Sequence, residues 1–314
     1  MLPFWASISL LSLVQGASVA LPGRQAANAL QALRATDTSG TRARTRAGAG
    51  AGDAAGTQGV PRLLRRLSSR WWAVLPPASI ALFVLVGAFA ATASASFLTY
   101  FALVGVPIGA AVALGWLVHG ARPLFALAVL PLFALAWADR TGLAGEAAAV
   151  ILSVLSCAAL GALLAAVTPP RWLGAGIVAM SLVDVSLVSS ELLQRPNNIL
   201  NAARPAAGLP QLQAELFGSA AMGYGDIFVA GLLGGLLAVT LGRKIQRHGA
   251  LLAILLALVF DLLFYLVSEL PATVPIAGAL LLMLIARRVQ RARLVRVRPA
   301  GEPLADVTRE GLAG

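Results

Sequence analysis

Eight apolar segments follow one another from Trp71 onward, at about 73–95, 97–118, 122–138, 145–168, 172–191, 214–241, 249–268 and 270–286. Nothing constrains the chain more. Each is close to the length a helix needs to cross ~30 Å of hydrocarbon. Backbone amides find no water there, so helices are the only plausible form for such runs. The sequence therefore predicts an all-α polytopic membrane protein, a bundle of about eight transmembrane helices. Mean hydropathy of +0.83 with 59% hydrophobic and 12% charged residues is far from soluble-domain usage. Pro107, Pro131 and Pro275 fall inside spans, where neighbouring helices tolerate a kink.

Ahead of these spans, residues 2–21 are apolar but carry no basic residue in front. Three readings stay open for them: a secretory signal ending near Ala20, a ninth span, or a spurious start. Residues 36–59 are a low-complexity Arg/Gly/Ala-rich linker with too little apolar surface to fold. The chain thus divides into an N-terminal segment plus linker (1–71), a membrane domain (72–288) and a basic tail (289–314). The single cysteine, Cys157, lies within a span, so no disulfide framework is expected.

Net charge is +11, and its placement matters more than its size. Threading the spans alternately puts Arg62, Arg65, Arg66, Arg70, Arg122, Arg171, Arg243, Lys244, Arg247, Arg287, Arg288, Arg291, Arg293, Arg296 and Arg298 on one side. Only Arg140, Arg195 and Arg204 fall on the other. The first side is expected to be cytoplasmic. Both flanks of the eight-span core then face the cytoplasm of a multi-pass protein of the cell membrane. A ninth span at 2–21 would put only the extreme N-terminus outside. Arginines placed beside spans point to the lipid bilayer as partner, not to nucleic acid.

Three acids lie well within spans: Asp184, Asp226 and Asp261. Counted from the nearest arginine of the basic side, they sit ~20, ~26 and ~21 Å deep at 1.5 Å per helical residue. Pairwise contact is therefore possible, and intramembrane acids are functional by default. Two carboxyls in contact share one proton. One can take a proton from water while the other donates to a peptide carbonyl, which is the chemistry of aspartyl peptide hydrolysis. Asp226 ends Gly223-Tyr224-Gly225-Asp226, whose glycines let another segment approach closely.

These residues carry a family resemblance. Met222–Val229 resembles the GxGD element of the presenilin and signal peptide peptidase intramembrane aspartyl proteases. Leu182-Val183-Asp184 resembles their Tyr-Asp element, and Pro271-Ala272-Thr273 their Pro-Ala-Leu element. The order and spacing agree, as in a bacterial or archaeal-like member. The resemblance implies a presenilin-like bundle with Asp184 and Asp226 catalytic. It gives Gly223, Tyr224, Gly225 and Pro271–Thr273 motif and substrate-binding roles. It also implies transmembrane-helix or signal-peptide-remnant substrates, no cofactor or metal, and no obligatory accessory subunit. The orientation is that of signal peptide peptidase. Two positions depart from the pattern: Val183 stands for Tyr and Thr273 for Leu.

Three rivals remain. Gly-Tyr-Gly-Asp also resembles the potassium-channel filter, but Ala221-Met222 precede it and an apolar helical run follows. Type IV prepilin peptidases use a GxGD aspartate too, and Pro196-Asn197 resembles their Pro-Asn element, but Phe228 stands where they carry Lys. A non-enzymatic proton-coupled transporter would use the same acids as a relay.

Overall fold

The computed structural model describes residues 3–23, 69–267 and 269–297. The linker at 36–59 and most of the basic tail lie outside them. Helices α1 (Phe4–Ala20), α2 (Leu75–Val112), α3 (Val129–Ala138), α4 (Leu143–Val167), α5 (Pro170–Ser189) and α6 (Gln194–Ala202) come first. The strands β1 (Ala214–Phe217) and β2 (Ala220–Gly223) follow. Then come α7 (Tyr224–Thr240), α8 (Arg243–Asp261) and α9 (Thr273–Val297). Five helical stretches are long and apolar enough to cross a membrane: Arg70–Leu117, Leu143–Val167, Pro170–Ser189, Arg243–Tyr265 and Thr273–Gln290. Phe4–Ala20, Pro123–Ala138 and Tyr224–Thr240 are apolar but shorter. The protein is a helical membrane protein by this composition.

The first two expected spans meet inside α2. Its 38 residues would be about 57 Å long if straight, too long for one crossing. Ala90 breaks the helix, with φ −142° and ψ 48°. Ala73, just before α2, packs on Gly176, and Gly87 packs on Pro196. Beyond the break, Tyr100 accepts a hydrogen bond from the Ala206 N–H at 3.2 Å, Gly109 lies on Ser156, and the Leu117 carbonyl accepts from Gly23 at 2.6 Å. The second arm thus returns to the end where the first began. The reversal falls at Ala90 and not at the expected 95–97, because residues 88–100 hold no Gly, Pro, Asn or Asp to mark a turn.

The expected span at 214–241 begins differently. Its first ten residues form an antiparallel hairpin in which Glu215 stands opposite Met222, and helix starts only at Tyr224. Gly218 has φ 62° and Ser219 does not share its sign, the geometry of a two-residue type II′ turn with glycine first. The turn is tied down by Gly218 N–H donating to Glu146 at 2.7 Å and Ser219 N–H donating to Ser7 at 3.2 Å.

Packing centres on α7. Gly161 of α4 meets the Gly231 backbone directly, Gly235 sits on the Gly161 carbonyl, and Gly234 on the carbonyl of Val19. Small residues let helix backbones touch in lipid, where association rests on van der Waals contact and interhelical hydrogen bonds. Val19, Leu173, Ile177, Met180, Leu232 and Ile276 fill the space around α7. Outside, Phe89, Phe101, Leu124 and Leu266 are well exposed, the surface expected of a protein whose solvent is lipid.

Helix α1 belongs to this body, although the sequence division at 71 sets it apart. It packs against α7, α8 and α4, and its buried face mixes Ile8, Leu11 and Val19 with the polar Ser7, Ser12, Gln15 and Ser18. Gln246 of α8 donates to the carbonyls of Val19 and Pro22, each at 2.9 Å.

Candidate active site

The GxGD element sits where hairpin turns into helix. β2 ends at Gly223, and Asp226 falls in the first turn of α7. Its Oδ2 accepts the Gly223 N–H at 3.1 Å. A helix N-terminus leaves amides unpaired and favours a carboxylate, so Asp226 closes its own helix as well as offering its second oxygen. Gly223 is exposed and Asp226 is half-buried. Tyr224 is turned toward α4, its hydroxyl 2.9 Å from Ser156 Oγ. Gly-Tyr-Gly therefore opens a helix and does not present a row of carbonyls, the arrangement an ion filter needs.

Asp184 comes from α5 and is 5% exposed. Thr273, fully buried at the start of α9, donates its hydroxyl to Asp184 Oδ2 at 2.6 Å. One turn before Asp184, Met180 reaches Gly225: a Cβ there would stand 3.7 Å from Met180 Cε. The structure brings Asp184 and Asp226 close enough for their charges to act on each other. Three separate stretches of sequence, around 184, 223–226 and 271–273, thus meet at one place. Two carboxyls so placed can hold a proton jointly and act as a general acid and base pair.

Asp261 is not part of this pair. It ends α8, and its Oδ2 accepts from Ser12 Oγ at 2.6 Å. Its surroundings lie nearer the tip of α1, where Phe4 meets Phe264 and Trp5 stacks on Tyr265. Equal depth from residue counting did not translate into contact, because Ser12 of α1 claims this acid.

Pattern reading missed two residues. Gln15, 1% exposed, donates to the Ala272 carbonyl at 2.8 Å and comes within 3.5 Å of the Asp226 carbonyl. Glu215 of β1 is also only 1% exposed. Burial pushes its carboxyl up to about 8, relieved in part by Ser153. The signal for the hairpin that carries Glu215 was present: Gly-Ser between two short runs is a hairpin turn.

No family model, curated protein or solved structure matches the chain. What the site can do must therefore be argued from its own residues. Among those described, no cluster of three metal-ligating side chains occurs.

Proposed function

We propose that this chain is an intramembrane aspartyl endopeptidase of the presenilin and signal peptide peptidase type. The observation that carries the reading is the meeting of Asp184 and Asp226, from different helices, with Pro271–Thr273 against one of them. In this reading α1, the two arms of α2, the Pro123–Ala138 segment, α4, α5, α7, α8 and α9 make nine crossings. The arginine-rich end faces the cytoplasm.

A substrate helix approaches from the bilayer and unwinds locally, because a helical amide is shielded from attack. Its opened backbone is tolerated only where protein or water receives it, which the exposed Gly223 favours. One carboxylate removes a proton from water, and the other acid donates to the scissile carbonyl. The tetrahedral adduct then collapses with proton return to the leaving amine. The products are two shorter membrane peptides.

The test is cleavage of a reporter transmembrane peptide by purified wild type and by Asp184→Asn, Asp226→Asn and Asp261→Asn. Asparagine keeps the acceptor oxygens that Thr273 and Gly223 use, so folding is preserved. Loss of cleavage in the first two variants and retention in the third is expected. Proton flux in liposomes without any cleavage would replace the protease by a relay.

A further inference from the structure

Four hydrogen-bonding groups connect the two acids through a helix that the resemblance does not cover. Gln15 of α1 donates to the Ala272 carbonyl at 2.8 Å, and its amide nitrogen lies 3.5 Å from the carbonyl of Asp226 itself. The next residue after Ala272, Thr273, holds Asp184 at 2.6 Å. The path runs Asp226, Gln15, Ala272–Thr273, Asp184. Gln15 is 1% exposed, and its helix is anchored at both ends, by Ser7 on the hairpin turn and by Gln246 on Val19 and Pro22.

We propose that Gln15 is a positioning residue that sets the separation of Asp184 and Asp226, making α1 a working part of the active site. The inference rests on the protease reading for its activity readout but not for its geometry. A buried primary amide has two N–H donors on one nitrogen, so one group can hold two carbonyls from different segments at a set spacing. Among the described residues, no other α1 side chain hydrogen-bonds to an element that bears either acid: Ser12 serves Asp261, and the Ser18 hydroxyl is buried with no hydrogen-bond partner there. The titratable groups facing the acid pair are Glu215 of β1, with Tyr224 of α7 and Cys157 of α4 beyond it.

The experiment compares wild type, Gln15→Met, Gln15→Asn and Ser18→Ala, as full chains in one detergent or lipid. Methionine keeps the length and loses both donors. Asparagine keeps the amide but is one methylene too short to hold both carbonyls. Two readouts are taken: reporter cleavage as kcat, KM and pH profile, and the pH titration of the carboxyl infrared bands, assigned with Asp184→Asn and Asp226→Asn. Gln15→Met is expected to lower kcat about ten-fold or more, since small misplacements of reacting groups are costly. KM should stay within about two-fold, because uniform binding is untouched. The pH–rate profile and the band titration should both move, since coupling depends on separation. Ser18→Ala should match wild type. A folded Gln15→Met with unchanged kcat, profile and bands overturns the inference. If that variant does not fold, Gln15→Asn decides by the same criteria. If wild type cleaves no reporter, the protease reading fails, while the infrared comparison still judges the role of Gln15.

Discussion

Thr273 and Asp184 are joined by a 2.6 Å hydrogen bond across 89 positions of the chain. The two departures from the family pattern fall on either side of it. Val183 removes a hydroxyl next to Asp184, and Thr273 places one on the facing helix, aimed at the same carboxyl. A hydrogen bond to a charged group is worth about 1.5–3 kcal/mol, or roughly ten- to hundred-fold in rate if it is needed in the transition state. Thr273→Val keeps the branched shape and loses the hydroxyl. It is expected to lower kcat by that factor, while Thr273→Ser stays within about three-fold of wild type. Steady-state cleavage of the reporter peptide measures both. Equal rates for Val and Ser would detach the hydroxyl from the chemistry.

Ser12 and Asp261 form a pair of the same length, and its predicted role is different. It fastens α1 to the end of α8, and neither of the other two acids is its hydrogen-bond partner. Interhelical hydrogen bonds in membranes average about 0.6 kcal/mol and reach about 1.7. A double-mutant cycle of Ser12→Ala and Asp261→Ala, followed by unfolding in denaturant and mixed micelles, should return a coupling energy in that range. Cleavage per folded molecule should not change in any of the three variants. A large loss of turnover in folded Asp261→Ala would bring this acid into the reaction.

How much of this could be read beforehand depends on the range of the signal. Apolar length placed α4 and α5 closely, because lipid thickness imposes it. The joining of Asp184, Asp226 and Pro271–Thr273 was legible because each sits in a short, distinctive sequence. Other features were not. The reversal at Ala90 is set by what the two arms pack against, Pro196 on one side and Ser156 on the other, and the local sequence there is featureless. The hairpin at 214–223 was hidden by its apolar content, which continues smoothly into α7, although Gly218-Ser219 marked the turn. Gln15 carries no pattern at all: a lone glutamine in an apolar run acquires meaning only when Ala272, 257 positions away, lies beside it.

Glu215 predicts a stability that depends on pH. It lies on β1, ahead of the helix α7, and is raised from 4.5 to about 8 by burial. In the unfolded chain it ionises near its ordinary value. Between about 4.5 and 8 the folded state therefore holds a proton that the unfolded state has lost, so stability falls as pH rises through this window. Each unit of raised pKa corresponds to about 1.4 kcal/mol. Glu215→Gln removes the ionisation and keeps the shape. The variant should be more stable than wild type at pH 8 and nearly equal to it at pH 4.5, by denaturant midpoint at each pH. Parallel curves for the two proteins would place the carboxyl in contact with water.

Gly231 and Gly225 are six residues apart on one helix and predict opposite outcomes. At Gly231 a side chain would enter the Cys157 backbone, where two helices touch and neither can yield. Gly231→Val is expected to destroy the α4–α7 packing and with it the folded protein, since overpacking costs about 1–3 kcal/mol even where neighbours can shift. At Gly225, among the described residues outside its own helix, an added Cβ would meet just the flexible end of Met180, at ordinary contact distance. The fold therefore does not need glycine there, and Gly225→Ala should unfold at the same denaturant concentration as wild type. If glycine is there so that a substrate backbone can lie close to Asp226, the same variant should lose about ten-fold or more in kcat/KM, as small displacements at a reacting centre do. Thermal or denaturant unfolding and reporter cleavage, run on one preparation, separate the two effects. A Gly225→Ala protein with full stability and full activity would leave no room for a substrate strand at this position.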